Sequence, residues 1–269
     1  MIFAGRTALV TGGTRGIGLA TALALGERGA DTVLTYAWGS ADEDALYAEF
    51  ERRGARRPVL VQADVGRAED TAALMEALRE VTSGVDVFVS NASMAVLPES
   101  LDDYTERALL QSISYGAWPL VAYTRALHDT FGRWPRHVVA MSSDGPDHYS
   151  YRYDFVAASK AVLETLVRYL TWHLRDTEVR VNAVRSRSVR TESFEATFGP
   201  GLDDLARRFA SERHFVEPEE VAGAVVALAS GLMDAVRGQV LVVDRGTAFS
   251  DDLLRIFDRR DSLPLWSDR

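Results

Sequence analysis

The stretch Arg6-Thr7-Ala8-Leu9-Val10-Thr11-Gly12-Gly13-Thr14-Arg15-Gly16-Ile17-Gly18 joins a short apolar run to a glycine-rich turn. Strand-forming residues dominate the apolar run, and an amphipathic helical pattern follows the turn as far as Gly29. Glycines at positions 12, 16 and 18 let the backbone turn tightly and approach a pyrophosphate, whose negative charge the helix N-terminus stabilises. The stretch therefore predicts a strand, a phosphate-binding turn and a helix, in that order.

Strand-like and helix-like runs alternate along the rest of the chain without a linker. Strands are predicted near 6–11, 31–36, 58–63, 85–90, 136–142, 178–184 and 238–243, and helices near 16–29, 41–54, 68–83, 103–131, 153–176 and 217–231. This alternation predicts an α/β protein with a Rossmann-type, doubly wound parallel sheet and helices on both faces. We expect one nucleotide-binding domain over residues 1–269, with its ligand at the carboxyl ends of the strands.

Composition narrows the function classes. The chain has 269 residues, of which 47% are hydrophobic, enough to bury a large single core. Its formal charge of -9 and lack of a basic block argue against a nucleic-acid partner. Cysteine is absent, which excludes disulfides and thiolate catalysis, and the five histidines lack metal-ligand spacing, so we expect no metal. No signal peptide or bilayer-length apolar run is evident, so the expected location is cytoplasmic and away from membranes.

Tyr153 and Lys160 form the candidate catalytic pair. They are seven residues apart where a helical pattern begins, so two turns separate them and they share one face. An ammonium group near a phenol is expected to lower the phenol pKa and favour proton donation. Val156, four residues before Lys160, has no proton to donate. The alternative interpretation of Tyr153 is a packed core tyrosine.

Further motifs follow the glycine-rich turn in a characteristic order. They are Asp64-Val65, Ser90-Asn91-Ala92, Ser142-Ser143, Lys160 and Asn182-Ala183-Val184. On these residues the chain resembles the short-chain dehydrogenase/reductase family over nearly its whole length. The Tyr153–Lys160 spacing, with the segments 86–92 and 237–244, is similar to the NADPH-using branch of the bacterial enoyl-acyl carrier protein reductases.

The resemblance implies roles for individual residues. Tyr153 would hydrogen-bond the substrate carbonyl oxygen, and Lys160 would hold the nicotinamide ribose. Ser143 would orient the substrate, with Ser142 as the alternative. The competing interpretation is that both serines are only polar residues at the end of a strand. The implied cofactor-binding residues are Gly12, Thr14, Arg15, Gly16, Ile17, Gly18, Trp38, Asp64, Val65, Asn91, Ala92, Lys160, Val189 and Thr191.

Cofactor preference is predicted at the end of the second strand. Enzymes that prefer NAD place an acid there for the ribose 2'-hydroxyl, whereas this chain has Thr35-Tyr36-Ala37-Trp38. Arg15 can pair with a 2'-phosphate, and Trp38 can stack on the adenine or on Arg15. The expected cofactor is therefore NADPH.

Several positions depart from the family pattern. Ser114 is interpreted as the occupant of the position where the usual tetrad has an asparagine. The family often has Pro-Gly at positions 186 and 187, where this chain has Ser186-Arg187. The family also has Asp-Gly-Gly near the last strand, where this chain has Asp244-Arg245-Gly246. The side chains of Arg185, Arg187 and Arg190 are interpreted as a solvated rim in preference to substrate contacts.

Two segments lie outside the regular alternation. Residues 192–215, with Phe194, Phe198 and Phe209, are predicted to form a mobile substrate lid, or else a surface excursion packed on the core. The charged tail 250–269, with interspersed apolar residues, is expected either to dock on a neighbouring subunit or to fray.

The sequence therefore predicts an NADPH-dependent reductase of an α,β-unsaturated acyl thioester, whose acyl group is carried by a carrier protein or by coenzyme A. The alternatives are a ketoreductase acting on a polyketide or other specialised metabolite, and, in another class, a catalytically weak nucleotide-binding regulator. Tyr149, Tyr151, Tyr115 and Trp118 are expected to shape the substrate pocket. The family resemblance implies a homotetramer in which the helices near 103–131 and 153–176 pair across two-fold axes.

Overall fold

A seven-stranded parallel sheet organises the chain. The computed structural model describes residues 1–38, 42–199, 201, 214–249, 254 and 256–257. The sheet order is β3-β2-β1-β4-β5-β6-β7, and every neighbouring pair is parallel. The strands are β1 (Thr7–Val10), β2 (Asp31–Tyr36), β3 (Val59–Gln62), β4 (Val87–Ser90), β5 (His137–Ser143), β6 (Arg180–Ser186) and β7 (Val240–Val243).

Helices follow the strands along the chain. They are α1 (Gly16–Gly26), α2 (Glu43–Arg52), α3 (Ala68–Val81), α4 (Glu106–Gly116), α5 (Trp118–Phe131), α6 (Asp154–His173), α7 (Glu192–Phe198) and α8 (Pro218–Ala229). Short 3₁₀ turns occur at Leu101–Asp103 and Thr247–Phe249. Among the described residues, none of the helices has both the length and the apolarity needed to cross a bilayer.

Successive residues of the buried strands enter two separate core layers. Val87 and Val89 pack with α1, α2 and α8 on one face of the sheet, whereas Phe88 packs with α3, α5 and α6 on the other. Because the side-chain period of a strand is two, a strand covered on both faces has to be apolar throughout. This arrangement confirms the predicted doubly wound α/β fold.

The site position follows from the strand order. β1 pairs with β2 on one side and β4 on the other, so the chain changes direction across the sheet at this point. In open parallel sheets the crevice outside the carboxyl ends of the strands at such a switch point binds ligands. The glycine-rich turn after β1 and the residues after β4 therefore meet at one crevice.

Two predicted boundaries are wrong in ways that affect the site. The helix expected over 103–131 is divided at Ala117, whose φ of -130° and ψ of -48° are not helical. Pro119 has no N–H to continue the first helix and occupies the first turn of the second, where proline is tolerated. The strand expected over 178–184 runs instead from Arg180 to Ser186.

Candidate active site

A cleft of about 730 Å³ brings together the residues predicted to act in catalysis and to bind the cofactor. Its lining includes the glycine-rich turn, the ends of β2 to β6, and the start of α6 and of α7. The predicted catalytic residues Tyr153, Lys160 and Ser143 line the cleft, as does every predicted cofactor-binding residue. The structure thus brings these predicted residues together in one cavity, and their roles stay proposals.

The glycine-rich turn has the geometry of a phosphate cradle. Gly12 and Gly16 have φ of 62° and 53°, and a Cβ on Gly18 would collide with the carbonyl of Gly12. Asn91 braces the turn, since its Nδ2 donates hydrogen bonds to the carbonyls of Thr11 at 2.9 Å and Gly12 at 3.1 Å. The turn lines the cleft at the start of α1, where backbone N–H groups can bind a dinucleotide pyrophosphate.

One end of the cleft suits an adenine base. The rings of Trp38 and Tyr115 lie 5.9 Å apart, and the Tyr115 hydroxyl donates to Asp64 Oδ2 at 3.0 Å. Tyr115 was predicted to shape the substrate pocket, but this contact places it at the opposite, nucleotide end. Arg15 is exposed beside the turn, and it makes no ion pair with any described residue.

Tyr153 lies at the other end, immediately before the first residue of α6. Burial raises the pKa of its phenol, the nearby Ser143 hydroxyl lowers it in part, and the charge of Asp144 raises it further. The expectation that Lys160 lowers the pKa of Tyr153 is therefore wrong. Two helical turns separate the groups, and Tyr153 is a neutral phenol poised to donate a hydrogen bond.

Lys160 is held deep in the wall of the cleft. Its side chain is 6% exposed, and its Nζ donates to the carbonyl of Met141 at 2.9 Å. Burial lowers the Lys160 pKa to about 8, although the carboxylate of Glu164, one turn along α6, opposes this. Val156 also lines the cleft, at the position from which no proton can be donated.

The structure separates the two candidate serines. The Ser142 hydroxyl donates to Glu164 Oε1 at 2.7 Å, so its proton is already used within the protein although Ser142 lines the cleft. The Ser143 Oγ is buried and makes no hydrogen bond of good geometry within the described part of the chain. The Ser143 hydroxyl is therefore the one left to hydrogen-bond Tyr153, whose pKa it lowers, or a ligand in the cleft.

Two of the three arginines at the end of β6 and just after it do not form a solvated rim. The Arg185 side chain is 13% exposed and holds both oxygens of Glu164, at 2.9 and 2.6 Å, besides pairing with Asp147. The Arg187 side chain is 19% exposed, lines the cleft and binds Asp144. Only Arg190 fits the rim interpretation, because it is 38% exposed and pairs with Glu217.

Ser114 was interpreted as the residue at the usual asparagine position, and its placement contradicts this. Its hydroxyl donates to the carbonyl of Leu110 at 2.8 Å, and the residue is exposed outside the cleft. Arg245 also lies outside the cleft, paired with Glu220. Ser114 therefore does not take the place of the asparagine that the usual tetrad has.

The aromatic lining differs in part from the prediction. Tyr151 lines the cleft, whereas Tyr149 and Trp118 lie outside it, 86% and 52% exposed. From the segment predicted as a lid, Phe194 and Phe198 line the cleft, and the Phe198 ring lies 6.2 Å from that of Tyr153. Phe209 lies outside the described residues, as does the tail from 250 apart from 254, 256 and 257.

Comparisons with known proteins agree with this geometry. A family model described as Enoyl-(Acyl carrier protein) reductase matches residues 12–248. The 1-cyclohexenylcarbonyl-CoA reductase of Streptomyces collinus is 29% identical over 248 residues, covering 90% of this chain and 86% of that protein. Versicolorin reductase 1 of Aspergillus parasiticus is 29% identical over 258 residues, covering 90% of this chain and 96% of that protein.

A solved structure extends the similarity to three dimensions. A short chain dehydrogenase from Burkholderia cenocepacia, in complex with NADP, has a TM-score of 0.79 and 27% identity, covering 91% of this chain and 98% of that one. The family match spans most of the 269 residues and includes the glycine-rich turn, Tyr153 and Lys160. The chain is therefore an oxidoreductase that belongs to the short-chain dehydrogenase/reductase family.

Proposed function

We propose that the protein is an NADPH-dependent reductase of α,β-unsaturated acyl thioesters or related conjugated carbonyl compounds. The observation that carries this proposal is the position of Tyr153. It is the tyrosine in the cleft beside the available Ser143 hydroxyl, while Val156, nearer to Lys160, can donate nothing. The proton donor is thus offset along the cleft from the position next to Lys160.

This offset fits reduction of a carbon–carbon double bond. NADPH supplies a hydride, which in an enoyl thioester goes to the β carbon while negative charge develops on the more distant thioester oxygen. The neutral phenol of Tyr153 would donate a hydrogen bond to that oxygen, with the Ser143 hydroxyl next to it. Because this charge exists mainly in the transition state, the hydrogen bond accelerates the reaction rather than only binding substrate. The resulting enolate would then take up a proton from Tyr153 or water, and its α carbon would end as the CH₂ of the saturated thioester.

Three features of the cleft support NADPH as the cofactor. The backbone cradle after β1 accepts a pyrophosphate, and no acid ends β2 at Tyr36-Ala37-Trp38. Arg15 is exposed beside this corner and can pair with a 2'-phosphate. The related Burkholderia cenocepacia protein was solved with NADP. Lys160 would hold the nicotinamide ribose from the cleft wall.

A ketoreductase is the second candidate, and the aromatic lining favours it. Tyr151, Phe194 and Phe198 surround the end of the cleft at Tyr153 and can sandwich a flat ring system. Tyr153 would then donate its proton directly to the reduced carbonyl oxygen. The two reactions differ in which atom lies next to the nicotinamide.

Parallel assays separate the two reactions. Crotonyl-CoA, 1-cyclohexenylcarbonyl-CoA and acetoacetyl-CoA are each supplied with NADPH, and NADPH consumption and product masses are measured. We expect faster consumption with the two alkenes and saturated thioesters as products. Reduction of acetoacetyl-CoA with both alkenes untouched would establish the ketoreductase instead. NADPH binding without consumption on any carbonyl substrate would favour a nucleotide-binding regulator.

A further inference from the structure

One positively charged side chain at the catalytic end of the cleft, that of Arg187, has no role in the proposed reduction. Ser143, the last residue of β5, pairs in register with Ser186, the last residue of β6. The next residue of each strand is therefore Asp144 on one side and Arg187 on the other, side by side above the sheet edge. Both side chains line the cleft, 16% and 19% exposed.

Arg187 is held along one edge only. Its Nε lies 3.1 Å from Asp144 Oδ2, and no other hydrogen bond or ion pair to Arg187 occurs within the described ranges. A guanidinium carries five N–H donors in a planar fork, so the terminal nitrogens keep donors to spare. Neither terminal nitrogen is sealed in the core. The remaining donors are thus available to a ligand in the cleft.

The position of these donors relates them to the reacting group. The ring of Tyr153 packs against Gly145, the residue after Asp144, where a Cβ on Gly145 would lie 3.0 Å from Tyr153 Cδ1, and the charge of the Asp144 carboxylate raises the pKa of the phenol. Arg187 binds that same carboxylate, so its free donors lie near the substrate oxygen that Tyr153 would contact. Arg185 differs from Arg187, because Glu164 and Asp147 occupy its donors. Arg190 differs because it lies outside the cleft.

We propose that Arg187 binds a free carboxylate of the substrate, close to the carbonyl group that Tyr153 hydrogen-bonds. The inference rests on the proposed function and names the substrate class of the same cleft. A planar carboxylate matches the guanidinium fork. We favour a ligand with a single negative charge over a phosphate dianion. The Asp144 carboxylate already binds the Nε edge of the guanidinium, and it would repel a doubly charged ligand more strongly. The phosphates of a coenzyme A or carrier-protein arm lie at the far end of that arm, so this anion belongs to the acyl part.

Matched substrates test the carboxylate site. The N-acetylcysteamine monothioester of trans-2-pentenedioic acid and the methyl ester of that compound differ only in the terminal charge. We expect the wild-type protein to reduce the acid with the higher kcat/KM. In Arg187→Gln the acid-to-ester ratio of kcat/KM should fall by about tenfold or more, the usual effect of losing a charge-assisted hydrogen bond. Arg187→Lys should recover part of the ratio, because it restores the charge without the fork.

Arg190→Gln is the control, since it removes an arginine three residues away and should leave the ratio unchanged. Binding of glutarate to the NADPH-loaded protein, measured by calorimetry, gives a readout independent of turnover and should weaken in Arg187→Gln. Equal kcat/KM for acid and ester would overturn the carboxylate site while leaving the reductase intact. Weaker NADPH binding in Arg187→Gln with an unchanged ratio would also overturn it, since Arg187 would then serve the cofactor. Arg187-dependent glutarate binding without reduction of any alkene or ketone would support the site and reject the proposed function.

Discussion

Tyr153 lies at the N-cap of α6 and Lys160 within that helix, and burial in the cleft affects their pKa values in opposite directions. Burial raises the pKa of the phenol and lowers that of the ammonium group, so burial favours the neutral form of both. The Lys160 Nζ donates a hydrogen bond to the Met141 carbonyl, and Lys160 lies two helical turns along the chain from Tyr153. The phenol is thus tuned by Ser143 and Asp144 rather than by the lysine, and each residue can be tested separately.

Removing the Tyr153 hydroxyl tests the proton donor. Tyr153→Phe keeps the ring packing against Phe198 and should lower kcat by roughly 100-fold or more, the usual contribution of a general acid. NADPH affinity, measured by fluorescence titration, should stay near the wild-type value. Tyr149→Phe is the control, because Tyr149 is 86% exposed and lies outside the cleft. A Tyr153→Phe protein with wild-type kcat would show that another group donates the proton.

Arg15 carries the second prediction at this scale. Since no acid ends β2, NADPH should bind more tightly than NADH, and Arg15→Ala should remove most of the difference. A charge-assisted hydrogen bond of about 1.5 to 3 kcal/mol corresponds to roughly 10- to 100-fold in affinity. Titrating NADPH and NADH into the wild-type and Arg15→Ala proteins measures this difference in affinity. Equal affinity of the wild-type protein for NADPH and NADH would contradict the prediction.

Lys160 carries a stability prediction with a definite pH dependence. Its pKa falls from 10.5 to about 8 on folding, so the folded state binds its proton less tightly than the unfolded state. Below pH 8 the charged lysine therefore opposes folding by about 3 kcal/mol, and this cost disappears as the pH rises toward 10.5.

Lys160→Met should accordingly raise the free energy of unfolding at pH 7 and have a smaller effect at pH 10. Loss of the hydrogen bond to Met141 reduces the gain equally at both pH values. Urea unfolding at the two values measures the difference. A gain of the same size at both would show that Lys160 is not desolvated in the folded protein.

At the scale of elements, one ion pair joins α6 to the ends of β5 and β6. Glu164 of α6 accepts from Ser142 of β5 and from two nitrogens of Arg185 of β6. Both charged side chains are at least 87% buried, and this network lies directly beneath Ser143 and beside Lys160. It fixes the helix that carries the catalytic pair to the strands that form the cleft floor.

Removing one partner of this pair should be costly, whereas removing both should not. Arg185→Met leaves a buried carboxylate and should lower the free energy of unfolding by about 3 kcal/mol. The double variant Glu164→Leu, Arg185→Met should recover most of that loss, because no buried charge stays unpaired and Asp147, the other partner of Arg185, is 59% exposed to water. Arg190→Met, which breaks an exposed pair, should cost less than about 1 kcal/mol. A double variant as unstable as the single one would contradict the prediction.

The elements also show which features the sequence could predict. The glycine-rich turn and Asn91 were recognisable because their chemistry is local and follows directly from strand ends. The break at Ala117 was also signalled, since Pro119 favours the first turn of a new helix. By contrast, Arg185 finds its partner 21 residues away in sequence, and only the register of β6 decides which arginine enters the cleft. Such long-range pairing has no sequence periodicity to reveal it.

At the scale of the whole molecule, one side of the fold exposes large apolar side chains. α4 and α6 pack against each other, and outward from them stand Leu110, Tyr169 and Trp172, 53%, 63% and 64% exposed. Trp118, at the start of α5, is 52% exposed. Large exposed apolar and aromatic side chains on neighbouring helices are typical of protein–protein interfaces. The predicted association through the helices around 103–131 and 153–176 would cover these residues.

The expected assembly is a homotetramer, in which these helices pack across two-fold axes so that each side chain meets its symmetry-related surface. Light scattering at micromolar concentration should give four times the chain mass of 29.6 kDa. Tyr169→Glu should lower that mass, because it would place a desolvated, unpaired charge in the interface. Leu232→Glu is the control, since Leu232 is 87% exposed on the loop after α8 and away from α4 and α6. A wild-type mass of one chain, or a Tyr169→Glu protein that stays tetrameric, would contradict association through this surface.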